Sequence, residues 1–100
     1  MTYADSTERA ALISGLRGLA DYLESNPEVP APIYSDVLTF PPHGDWSEMR
    51  AEIDAIAARL GVTAYETSGS HYVASRSFGL IEYRAVAIPP KNETDNQESE

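Results

Sequence analysis

The sequence predicts a two-layer α+β domain, with two helices packed on one face of a four-stranded mixed sheet in the order α-β-α-β-β-β. Three observations carry that reading. Two segments, one near each end of the first 60 residues, repeat apolar residues at helical spacing and open on a capping signature. The stretch 70–90 concentrates strand-forming residues, among them Tyr72, Val73, Phe78, Ile81, Tyr83, Val86 and Ile88, and stops at Pro89-Pro90. Within 80–88 the residues alternate, so that Ile81, Tyr83, Ala85 and Ala87 share one face while Leu80, Glu82, Arg84, Val86 and Ile88 share the other.

The first helix is expected from Asp5 or Ser6, after a frayed 1–4. Asp5 and Glu8 have capping-box spacing and put acid at the positive end of the helix dipole. Leu12, Ile13, Leu16, Leu19, Ala20 and Leu23 form one apolar stripe, read here as a core face with Leu16 at its middle. Gly15 and Gly18 interrupt it at a cost of roughly 1 kcal/mol each relative to alanine. A backbone approaching closely would account for them, and so would simple exposure. Asn26-Pro27 ends the helix, because a residue before proline avoids the α region.

The connector 27–32 is stiff and extended, with prolines at 27, 30 and 32. Residues 33–40 read as a strand, and prolines on both sides suit an edge position. His43-Gly44 is a turn. Asp45 then caps a second helix over 46–60, with Glu48 three positions on and Trp46, Met49, Ile53, Ile56, Ala57 and Leu60 in one stripe. Gly61 is placed to cap its end. A strand over 62–66, a turn at 67–70 and an antiparallel hairpin turning around Ser77-Phe78-Gly79 complete the fold. The small Ala85 and Ala87 call for a helix close above them. The face with Glu82 and Arg84 should be the wetter one.

Residues 1–90 are thus one domain, and 91–100, which has no apolar residue, is expected to be a disordered acidic tail. A chain of 100 residues can bury roughly two-thirds of its unfolded surface and needs no staples. There is no cysteine, which excludes disulfides and thiolate metal sites and fits a reducing cytoplasm. No signal peptide or membrane-length apolar run is visible in the text. The net charge is −9, from 16 acidic and 7 basic residues, with four acids and one base in 91–100. Seven dispersed basic residues do not supply the clustered charge that phosphate backbones require, so direct nucleic-acid binding is not expected.

Three longer passages together carry a resemblance to a known group: ERAALISGLRGLADYLESNPEVP at 8–30, IAARLGV at 56–62 and RSFGLIEYRAVAIP at 76–89. They are similar to a group of small uncharacterised proteins of actinobacteria and their phages. The similarity spans most of 8–89 and leaves out the acidic tail and the loop around His43. It contains no chemical motif, so it transfers no site residue. It implies a cytosolic accessory protein of phage or prophage origin.

No catalytic, metal or cofactor residue is assigned. His43, Asp45 and His71 could supply metal ligands, but Asp45 already serves as a cap and the histidines are far apart in sequence. Ser68, Ser70 and His71 suggest a nucleophile and base, yet Ser-Gly-Ser is ordinary turn composition. The aromatics offer more. Trp46, Tyr72 and Tyr34, with His71, form the candidate interaction surface, since Trp and Tyr concentrate at binding hot spots; core and core-edge packing is the competing reading.

The function expected is therefore a non-enzymatic protein-binding module acting in the cytoplasm on a host protein or on itself, with no cofactor, no membrane partner and room for a homodimer. Two alternatives stand beside it. One is an acidic nucleic-acid mimic that presents Glu24, Glu28, Glu48, Glu52 and Asp54. The other is a small ligand-binding or enzymatic domain with a pocket near His43, Trp46 and His71.

Overall fold

The computed structural model describes residues 3–90, and the expected acidic tail lies outside them. Six elements follow the anticipated order: α1 (Ser6–Ser25), β1 (Ser35–Thr39), α2 (Trp46–Leu60), β2 (Tyr65–Glu66), β3 (Tyr72–Phe78) and β4 (Ile81–Ala87). The class is α+β, with a four-stranded mixed sheet in the spatial order β1-β4-β3-β2. β1 runs parallel to β4, and β2, β3 and β4 form an antiparallel meander.

Each helix starts as its sequence dictates. Asp5 Oδ1 accepts from the Glu8 N–H at 2.8 Å while Glu8 Oε1 accepts from the Asp5 N–H at 2.9 Å. Asp45 and Glu48 repeat the same reciprocal pair at 2.8 and 3.0 Å. Gly61 ends α2 in the left-handed region (φ 74°), and the N–H groups of Gly61 and Val62 return to the carbonyls of Ala58 and Ala57. That paired closure satisfies the last turn. It also commits the Val62 N–H to the helix, so residue 62 does not join the sheet, and β2 begins at Tyr65 and not at 62 as expected.

The sheet turns on Gly79, whose positive φ (68°) suits the first position of a two-residue hairpin loop with Leu80. The turn therefore falls one residue later than expected, after the Phe78–Ile81 pair. β1 lies at an edge, flanked by prolines as anticipated.

The core forms where α2 meets the sheet. Met49, Ile53, Ile56 and Ala57 pack on Ala74 of β3 and on Ala85 and Ala87 of β4. Ala74 and Ala85 are register partners with no exposed surface, so two small side chains face each other where the helix passes closest. Trp46, Leu60, Val62, Ala64, Tyr72 and Tyr83 close the margin. On the reverse face Val73 and Val86, also register partners, are buried. Beside them Arg84 Nη1 donates to Glu82 Oε1 at 3.3 Å, with both side chains partly exposed, as expected of the wetter face.

α1 does not share this packing. It contributes no buried residue, and it makes no contact with any other helix or strand among the described residues. α2 lies over β3 and β4 and leaves β1 without a helix above it. The radius of gyration is 16.8 Å, against about 13 Å for a compact chain of this length. A helix of 20 residues standing off the sheet contributes to that extent. The connector, expected to be extended throughout, instead opens on a turn in which the Val29 N–H donates to the Asn26 carbonyl at 2.9 Å; its prolines at 27, 30 and 32 stiffen the rest of the path to the sheet edge.

Candidate interaction surface

The stripe expected to be core is instead a surface. Leu12, Ile13, Leu16, Leu19 and Tyr22 are all exposed, Leu16 to 41 % and Leu19 to 55 %. Apart from the neighbouring backbone of α1 itself, Gly15 and Gly18 have no atom within 4 Å of where a Cβ would stand, so no other element presses against the helix there. The helix is held at its N-terminal side by Tyr3, expected to fray. Its hydroxyl donates to Glu52 Oε2 on α2 at 2.9 Å. Desolvation and then the bond to the Glu52 carboxylate push the Tyr3 phenol up to about 12. At the other end Asn26 Nδ2 donates to the Tyr22 carbonyl at 2.9 Å, and no basic residue lies in the last turn.

The aromatic surface anticipated from sequence divides. Trp46 and Tyr72 come together at the margin of the core, bridged by Arg50, whose guanidinium carbon lies 5.8 Å from the Trp46 ring centroid and 4.3 Å from that of Tyr72. Tyr72 Oη also donates to Asp54 Oδ1 at 2.6 Å, and that bond is the chief cause of its raised pKa. These two rings are therefore engaged within the molecule. Tyr34 is 76 % exposed and sits at the opposite end of the sheet, beside a shallow hollow lined by Asp36, Ser77, Gly79, Leu80 and Ile81. His71 is half-buried, and its backbone N–H donates to Thr67 Oγ1 at 3.1 Å.

The second hollow, next to His43, is lined also by Pro42, Gly44, Glu48, Met49 and Glu52. Neither Trp46 nor His71 reaches it. Among the described residues no three side chains of metal-binding type converge. Ser70 completes a turn, its N–H donating to the Thr67 carbonyl at 2.9 Å. Of the acids expected to be free on the surface, Glu48 closes a helix cap, Glu52 holds Tyr3 and Asp54 holds Tyr72.

Fold and surface together define a small α+β domain that carries a projecting amphipathic helix. No helix among the described residues is long and apolar enough to cross a membrane. Comparison with known protein families, with curated proteins and with solved structures finds no match. The α1 face was legible in outline, since the stripe itself was read correctly. Its exposure was not legible, because glycines inside a stripe suit a close approach and open space equally.

Proposed function

We propose that this chain is a non-enzymatic protein-binding module of the cytoplasm, working through the exposed apolar face of α1. One observation carries the reading: a 20-residue helix buries none of its stripe and leaves Leu12, Ile13, Leu16 and Leu19 exposed, with Leu23 half-buried. Contiguous exposed apolar surface of this kind marks interaction sites on soluble proteins. Most of a helix's stability in a protein comes from packing its amphipathic face, which α1 lacks, and two interior glycines weaken it further. Docking against a partner supplies what the sheet does not. The resemblance to small uncharacterised proteins of actinobacteria and their phages, which implies an accessory role, fits this reading, with a host protein or a second copy as partner.

The test is affinity capture with the immobilised full chain beside its Leu19→Asp variant, offering both labelled free chain and a host lysate. The reading expects a bound species that the variant loses while a Tyr34→Ala variant keeps it. Equal capture by parent and Leu19→Asp, or capture lost only with Tyr34→Ala, would move the surface elsewhere and end this account of α1.

A further inference from the structure

We infer that the occupant of the α1 face is the α1 of a second copy of this chain, packed antiparallel to it; the inference rests on the reading of α1 as the binding face and specifies its partner. Leu12, Leu16 and Leu19, all exposed, and Leu23, half-buried, follow the alternating four-and-three spacing of a coiled-coil seam. Set antiparallel, they make four layers: Leu12 meets the partner's Leu23 and Leu16 meets the partner's Leu19, and each pair recurs by symmetry. The flanking positions then match large against small. Tyr22 falls across from the partner's Gly15 and Ile13 falls across from the partner's Ala20. Gly15 has open space where a Cβ would stand, as a ring seated over it would need.

Charge selects the same orientation. Arg9 lies one step along the seam from Leu12. In a parallel pair the two Arg9 side chains would face each other. Reversed, each lies across from Asn26, the C-cap of the other helix. That end carries the partial negative charge of unpaired carbonyls and has no basic residue of its own in the last turn. Each copy thereby supplies the cation the other lacks.

The area suffices. Leu12, Ile13, Leu16, Leu19 and Tyr22 are between 40 and 56 % exposed, and covering them removes roughly 100 Å² each. Two copies then bury about 1,000 Å², the lower limit of a specific interface. An interface of that size belongs to the weak, transient class, so the dimer is expected to be reversible and concentration-dependent.

Sedimentation or light scattering of the full chain across concentrations up to about 100 µM reads the association directly. Twice the monomer mass is expected at the upper end, reverting to monomer for Leu16→Asp. The chain has no cysteine, so introduced thiols report orientation cleanly. A mixture of Leu12→Cys and Leu23→Cys chains should form a disulfide-linked pair under mild oxidation. Leu12→Cys alone should stay largely unlinked, because its two copies lie about 16 Å apart along the helices, beyond the reach of about 7 Å. Ready linking of Leu12→Cys to itself overturns the antiparallel arrangement. A dimer that Leu16→Asp dissolves but no thiol pair traps places α1 on another part of the second copy, which ends the helix pairing and leaves α1 as a binding face. A monomer throughout excludes the second copy as occupant, and the capture experiment then decides the broader reading independently.

Discussion

Tyr3 and Glu52 are 49 positions apart in the chain and meet in a 2.9 Å hydrogen bond. It is the tie between the start of α1 and the body of the domain. Tyr3→Phe removes that bond and should cost about 0.5–1.5 kcal/mol. The folded chain raises the Tyr3 phenol from 10.0 to about 12, which favours the protonated form. The contribution is therefore complete below pH 10 and is lost as pH rises from 10 towards 12. Denaturation midpoints of parent and Tyr3→Phe should differ at neutral pH and converge over that window. A constant gap would mean the phenol does not titrate as a donor to Glu52. In the same alkaline titration, Asp54→Asn should bring the late-ionising Tyr72 phenolate to lower pH, since the Asp54 bond is the main cause of its shift.

The core is sharply located. Ile53 has no exposed surface, and Ile53→Ala should cost about 2–5 kcal/mol, a large part of the stability of a small domain. Ala85→Leu attacks from the sheet side, where the helix leaves no room, and should cost about 1–3 kcal/mol through overpacking. Urea unfolding of both variants checks this. A midpoint unchanged for Ile53→Ala would mean α2 is not the helix that closes the core.

Two glycines should respond in opposite directions. Gly61 holds a left-handed conformation at the end of α2, and Gly61→Ala should lower stability by about 1–2 kcal/mol. Gly18 lies inside α1 with open space around it. Gly18→Ala should raise the helicity of α1, by up to about 1 kcal/mol of local stability. Amide exchange within 6–25 separates the local effect from the global one: slower exchange there, with an unchanged unfolding midpoint, is expected.

What could be read in the text was local. Both capping boxes, the Gly61 closure, the edge position of β1 and the alternation that sets Ala85 and Ala87 beneath a helix depend on neighbouring residues or on a single period. The placement of α1 was not legible in the same way. The stripe from Leu12 to Leu23 has the same spacing whether it meets a sheet, another helix or water, and periodicity does not name what lies opposite. The aromatic surface failed to stay together for a related reason. Trp46 and Tyr72 met because α2 crosses β3, whereas Tyr34 precedes an edge strand and was carried to the far end of the sheet. Tyr3 was missed because a phenol at a chain end gives no sign of the carboxylate it will find.

The central claim is that α1 is a presented face and not part of the core. It is tested most directly by the urea midpoint of Leu16→Asp beside that of the parent, both at concentrations low enough to keep the chain monomeric. A charge placed at the middle of a packed stripe would be buried without a partner and would cost several kcal/mol. With Leu16 41 % exposed and no element against it, the expected result is a midpoint within about 0.5 kcal/mol of the parent, as for other surface substitutions. A loss of about 3 kcal/mol or more would place α1 in the core and contradict the account.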